Sequence, residues 1–211
     1  MVGGTDPTTT MVEWTMAELL KHPEEMRKVQ QELTEVVGLS NMVEESHLSQ
    51  LTYLDAAIKE TLRLHPTLPL LAPRCPSVTT TVGGYKVPKD TKVFLNVWAI
   101  HKDPEIWKDP LEFRPERFLR NNNEQGDKFD YTGNNFHFLP FGSGRRICPG
   151  IPLAERMLNY VLASFLHSFE WKLPQPEAEL DMSDKFGIVM KKLEPLCAIP
   201  TPRLSDLELY I

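Results

Sequence analysis

"PFGSGRRICPG" runs from Pro140 to Gly150. Gly142, Gly144 and Gly150 crowd so short a stretch that neither a regular helix nor a strand suits it. It is a shaped loop, and Cys148 is what it presents. Helix-like sequence begins at Leu153, so the loop runs straight into a helix N-terminus.

The ordinary use of a lone cysteine is as a small buried hydrophobe. Three features point elsewhere. The glycines let the backbone pass close to something large and flat, or turn its amides inward. Arg145 and Arg146 bring positive charge to a sulfur that would work as a thiolate. The positive end of the following helix dipole points back toward the same sulfur. A zinc site needs about three more ligands, and none stands at usable spacing. A nucleophilic cysteine needs a histidine base, and the sequence assigns none. A single thiolate in an amide-rich loop suits an axial metal ligand whose other ligands belong to a cofactor, as in haem-thiolate proteins.

Around that loop lies an ordinary globular chain of 211 residues, 41% hydrophobic and 25% charged. This is enough for one domain with a real core. A net charge of −6 and the lack of any basic tract exclude a dedicated nucleic-acid binder. Cys75, Cys148 and Cys197 are too few for a disulfide scaffold and fit a reducing compartment. No apolar run is long enough to span a bilayer, and no stretch reads as a signal peptide.

Periodicity predicts helices over Val12–Lys21, from Pro23 to a stop at Gly38, over Ser49–Leu64, and over Leu153–Phe169. Leu51, Leu54, Ile58 and Leu62 form the buried stripe of the third. Thr79 to Trp98, turning at Gly83-Gly84 and Lys89-Asp90, predicts hairpin strands. Pro104 to Phe141 is loop-rich, with a polar insert at Asn121–Lys128. Strand-like pieces fall at Phe186–Met190 and Leu196–Ile199.

Phe141-Gly-Ser-Gly-Arg-Arg-Ile-Cys-Pro-Gly150 resembles the haem-binding signature of the cytochrome P-450 monooxygenases, with Phe141, Gly144, Arg146, Cys148 and Gly150 in register. Glu60-Thr61-Leu62-Arg63 resembles the family's E-x-x-R in helix K. Phe113-Arg114-Pro115-Glu116-Arg117-Phe118 resembles its F-x-P-E-R-F segment. The tail "PRLSDLELY" is similar to plant members. The resemblance covers essentially the whole chain. It implies a mainly α fold with small β-hairpin sheets, the C-terminal half of the family's architecture, from the second half of helix I through helix L and the last strands.

The resemblance also implies roles. Haem b would be held by the Cys148 thiolate as its metal ligand, with Phe141, Gly142 and Gly150 around it and Arg74 and Arg146 on the propionates. Glu60, Arg63 and Arg117 would form a structural cluster that locks the loop carrying Cys148. Arg145 would face the side where NADPH-cytochrome reductase docks. Gly3, Val2, Leu68–Ala72 and Phe186–Ile188 would line the space for an apolar substrate. The reaction expected is insertion of one atom of O2 into an apolar small molecule such as a plant secondary metabolite. A full member is more than twice as long. The remainder would carry a membrane anchor holding the parent on the cytosolic face of the endoplasmic reticulum, whereas this chain alone, without an anchor, is expected to be soluble or cytoplasmic.

One segment departs from the family. Helix I usually reads A/G-G-x-D/E-T-T/S, and here it is Gly3-Gly4-Thr5-Asp6-Pro7-Thr8. Asp6 fits a proton relay. Pro7 replaces the threonine that organises water. Proline in a helix interior loses an N–H, clashes with the carbonyl four residues back and costs ~3 kcal/mol. Thr8, the other candidate, sits about 100° further round the helix. Three expectations follow: a monooxygenase, a truncated non-catalytic fragment, or a haem-thiolate rearrangement enzyme that does not activate O2.

Overall fold

The computed structural model describes residues 2–119, 129–175 and 180–210. The Asn121–Lys128 insert lies outside the described residues. Five α-helices and three two-stranded antiparallel sheets make up the described fold, together with short 3₁₀ turns.

Helix α1 (Val2–Lys21) is the central rod. Every residue from Trp14 to Leu19 is buried, because α2 (Pro23–Val36), α3 (Thr52–Leu64) and α5 (Ile151–Ser168) pack around it. A helix apolar all round is one enclosed by others. Helix α2 buries one stripe, Met26, Val29, Gln30 and Leu33. Pro23 opens it where no N–H is needed, and Gly38 closes it at φ 79°. The first turn of α3 borrows a cap from α2. Glu32 accepts the Tyr53 and Leu54 N–H groups at 2.7 and 3.0 Å, which satisfies donors that a helix start leaves unpaired.

Beneath α1 a buried carboxylate is shared. Glu18 accepts from His65 Nε2 at 2.6 Å and lies 3.3 Å from His22 Nδ1, while His65 stacks flat on Trp14 at 3.9 Å. Burial alone would raise the Glu18 pKa, but hydrogen bonds from His22 and His65 together bring it down to about 2. This fixes the end of α1 against the end of α3.

The long connection from α4 (Val97–Ile100) to α5 has little regular structure, yet it is packed. Trp107, Phe118, Phe129, Tyr131, Phe138 and Phe141 form one aromatic cluster, with neighbouring ring centroids 5.0 to 6.2 Å apart. Such contacts add to the area they bury and stand in for a ladder of backbone bonds.

Several boundaries differ from the sequence expectation. Helix α1 starts at Val2, ten residues before the periodic signal at Val12, and runs through Gly3-Gly4 and Pro7, the stretch that the resemblance assigned to helix I. Intrinsic propensity is poor there, but the segment prolongs a well-packed helix, and Thr8 and Thr9 hydroxyls bond back to carbonyls one turn earlier. The expected helix from Ser49 breaks at Leu51, after a 3₁₀ turn at Glu45–Gln50. The glycine hairpin is β1 (Thr80–Val82) and β2 (Tyr85–Val87), but the chain beyond gives only an Arg74–Val93 bridge and then helical α4, where a strand was expected to Trp98. Phe186–Met190 is not a strand. It is the connection between β4 (Asp184–Lys185) and β5 (Lys191–Lys192), held by a single bond from the Met190 N–H to the Thr67 carbonyl at 2.8 Å and by no strand ladder. Helix α5 stops at Ser168, and Phe169 begins β3 (Phe169–Lys172), paired with β6 (Ile199–Pro202).

Candidate functional site

The site is built on a buried ion cluster. Glu60 and Arg63 stand one turn apart on α3, both fully buried. Arg63 donates Nε to Glu60 Oε2 at 2.7 Å and Nη2 to Oε1 at 2.8 Å, a bidentate pair. Glu60 Oε1 also accepts from Arg117 Nε at 3.0 Å and from the Arg114 N–H at 2.9 Å. The remaining guanidinium donors reach main-chain carbonyls. Arg63 takes His101, Pro110 and Glu112, and Arg117 takes Lys108 and Asp109. Three charged side chains thus tie α3 to the irregular chain of residues 101–117. Glu60, Arg63 and Arg117 are thus in direct contact.

From there a chain of bonds leads to the cysteine loop. The Leu139 N–H donates to His101 Nε2 at 2.8 Å. The Gly142 N–H donates to the Leu139 carbonyl at 3.1 Å, and the Cys148 N–H to the Phe141 carbonyl at 3.0 Å. The loop itself turns on Gly142 at φ 76° and Gly144 at φ 66°, conformations that glycine takes without strain. A 3₁₀ turn at Gly144–Arg146 lifts the two arginines outward, and both are exposed. Helix α5 opens at Ile151, three residues past Cys148.

Two residues from outside the motif complete the loop. A Cβ on Gly142 would come within 3.4 Å of Arg74 Nη2, so the Arg74 guanidinium lies against the loop backbone. Gly133, at φ 74°, packs beneath it. A Cβ there would stand 2.7 Å from the Gly142 carbonyl oxygen and 2.9 Å from Ser143 Cα. The Ser143 hydroxyl donates to the Gly133 carbonyl at 2.7 Å. His101 and Gly133 have no motif to reveal them, because their partners stand 38 and about ten residues away along the chain.

The expected site residues therefore divide into two groups. The structure gathers Arg74, Phe141, Gly142, Cys148 and Gly150 at one loop, with Arg146 exposed beside them. A Cβ on Gly150 would lie 3.7 Å from Cys148 Sγ, so the chain passes close by the sulfur. Cys148 is partly exposed and free. No group of three or more His, Cys, Asp or Glu side chains able to hold a metal occurs among the described residues. A lone sulfur fits a metal that arrives with its other ligands already in a cofactor. Asp6 and Thr8 stand apart, near the start of α1. Asp6 is paired with Lys191 of β5 at 3.0 Å, and the Thr8 hydroxyl lies 3.4 Å from the Gly4 carbonyl. Sequence reasoning missed Lys191. The residues expected to face substrate differ in exposure: Gly3 and Ala72 are exposed, Phe186 and Ile188 are 73% and 84% accessible on the turn between β4 and β5, but Pro69 is buried and Leu68, Leu70 and Leu71 are half-buried. No helix among the described residues is long and apolar enough to cross a membrane.

Comparison with known proteins bears on what this arrangement is. A family model described as "Cytochrome P450" matches residues 1–197. Geraniol 8-hydroxylase of Swertia mussotii is 52% identical over 95% of this chain and 40% of its own length. Carnosic acid synthase of Salvia pomifera is 46% identical, and the flavonoid 3',5'-hydroxylase of Solanum melongena 44%, each over 39% of its length. The chain thus spans about two fifths of the curated relatives it matches. A zebra fish cytochrome P450 solved with abiraterone superposes at a TM-score of 0.83 with 39% identity, over 95% of this chain and 45% of that one.

The packing at Gly133 gives a direct stability test. Gly133→Ala forces a left-handed alanine onto backbone atoms and should cost about 2 kcal/mol or more, whereas Gly144→Ala, with similar φ and open space, should cost only about 1 kcal/mol. Denaturant midpoints measure both. Equal losses would show that nothing rigid sits over Gly133.

Proposed function

This chain belongs to the cytochrome P-450 family, and from that membership we propose that it is the thiolate-bearing part of a haem monooxygenase. The observation that carries the proposal is the partly exposed, free Cys148 thiol, presented by a loop whose backbone is fixed on both sides. The chemistry a bound haem b supplies there is reductive activation of O2, which a thiolate ligand favours.

The chain's own residues hold and orient. Cys148 provides the single sulfur. The Arg74 guanidinium, beside Gly142, and Arg146, two residues before Cys148, suit the carboxylates on the rim of the group. Phe141, its ring edge-on to Tyr131 at 5.1 Å, gives the loop an apolar floor. Arg145, which is exposed, would offer positive charge to a redox partner such as NADPH-cytochrome reductase. Relatives named for geraniol, carnosic acid and flavonoids support an apolar small molecule, such as a plant secondary metabolite, as substrate. The parent protein would sit on the cytosolic face of the endoplasmic reticulum through an anchor outside this chain.

Asp6 and Thr8 near the start of α1, with Lys191 of β5 beside Asp6, are groups available to hold or move a proton. Pro7 stands among them with no hydroxyl and no N–H. That residue favours a second reading, a haem-thiolate rearrangement enzyme with no need of O2. The two-fifths span favours a third, a fragment that does not turn over alone.

Two measurements test these readings. The ferrous–CO spectrum of the chain with added haem should show the strongly red-shifted thiolate-type band, and Cys148→Ser should abolish it. Survival of the band in the serine variant would refute Cys148 as ligand. The second measurement uses the chain grafted onto a related N-terminal half, with Pro7 and with Pro7→Thr. Positioned proton transfer is typically worth ~10²–10⁴-fold. The threonine form should yield more product and less hydrogen peroxide per NADPH. Equal coupling would mean that Asp6, Thr8 or the substrate already supplies the proton path.

A further inference from the structure

His101 is fully buried at the C-terminal end of α4 and touches both halves of the site. Its carbonyl accepts from Arg63 Nη1 at 2.8 Å, so its main chain is held by the ion cluster. Its ring reaches the other way. Nε2 takes the Leu139 N–H at 2.8 Å, and the ring lies against Phe138 with centroids 5.4 Å apart.

A main-chain N–H can only donate, so Nε2 must carry a lone pair and the ring proton sits on Nδ1. Nδ1 is buried and meets no partner at good hydrogen-bond geometry among the described residues, although the main chain of Arg63 and Leu62 runs close to the ring. Burial, with the Arg63 charge beside it, lowers the His101 pKa to about 3, which keeps the ring neutral and the acceptor in place. A ring used only to fill space would gain from losing both nitrogens, because an unpaired buried donor is costly. The tolerated Nδ1–H indicates that the Nε2 contact matters. That contact lies at the head of the path already described, from Leu139 through Gly142 to the chain of Phe141 that pairs with Cys148.

We infer that His101 is a positioning residue for the cysteine loop: its Nε2 transmits the placement set by Glu60, Arg63 and Arg117 to Leu139, and so sets where Cys148 stands. Its effect on a bound haem rests on the ligand role proposed for Cys148. Its effect on the loop does not.

The experiment compares the full 211-residue chain with His101→Gln and His101→Leu. Glutamine can place an amide oxygen near the Nε2 position, and leucine keeps bulk without an acceptor. Amide hydrogen exchange is read at Leu139, Gly142 and Cys148, and the ferrous–CO band is read after haem addition. In the leucine variant these amides should exchange about tenfold faster, and a large share of the thiolate-type band should move to shorter wavelength. Glutamine should restore both. A folded leucine variant with wild-type exchange and an unshifted band overturns the inference. If leucine prevents folding, His101→Asn replaces it, since asparagine is polar but too short to reach Leu139. Asparagine and glutamine variants exchanging alike would then overturn it. If wild-type chain gives no thiolate-type band at all, the haem reading fails, and the exchange rates alone decide for or against His101.

Discussion

Glu60 is a carboxylate removed from water, and four hydrogen bonds from Arg63, Arg114 and Arg117 make that tolerable. A buried ion pair is weak evidence for stability in itself, because desolvation offsets much of the attraction. Its effect is directional. A carboxylate and two planar guanidinium groups can satisfy one another only in a narrow set of geometries. Once α3 has set the first two, the carbonyls of Lys108, Asp109, Pro110 and Glu112 must come to the remaining donors. The long irregular connection is thereby given one path. The aromatic cluster from Trp107 to Phe141 fills the space beneath it.

That order matters chemically because the cysteine lies on a loop, not on an element. A metal ligand must be held within fractions of an ångström, and loops are intrinsically the loosest part of a fold. Here the loop is held from below by Gly133, from the side by Arg74, and at its head by His101 through Leu139. Its far end runs into α5, which is packed on α1, α2 and α3. By contrast Phe186 and Ile188 on the turn between β4 and β5 are open surface, and Asp6 of α1 is engaged by Lys191. Within this chain the loop that carries Cys148 is braced from several sides, while the turn between β4 and β5 is not covered.

Much of this was legible in the sequence where function concentrates residues locally. The loop around Cys148 announced itself by glycine, arginine and cysteine within a few positions. Glu60 and Arg63 share a helix face that spacing predicts, and the Leu51–Leu62 stripe is buried as expected. What escaped depends on contacts between distant segments. Nothing local marks Gly133, whose requirement comes from the carbonyl of Gly142, or His101, whose partner is the Leu139 amide. The Gly3–Pro7 stretch has poor helix propensity, and only the resemblance to helix I placed it in a helix; it is helical because packing further along α1 outweighs a few unfavourable residues. Strand β3 was hidden in a run of aromatic residues that continues the helical pattern of α5 until Arg203 and Tyr210 bind the carbonyls of Leu166 and Ser168.

The central claim is that the buried cluster holds the structure and takes no part in chemistry. The measurement that meets it most directly is the unfolding free energy and haem content of Glu60→Ala. Removing one member of such a cluster leaves the other charges buried without a partner, at a cost of about 3–5 kcal/mol. The account predicts a chain that loses cooperative unfolding and retains no thiolate-ligated haem. A Glu60→Ala protein with the wild-type unfolding midpoint and haem content, but slow turnover, would contradict it.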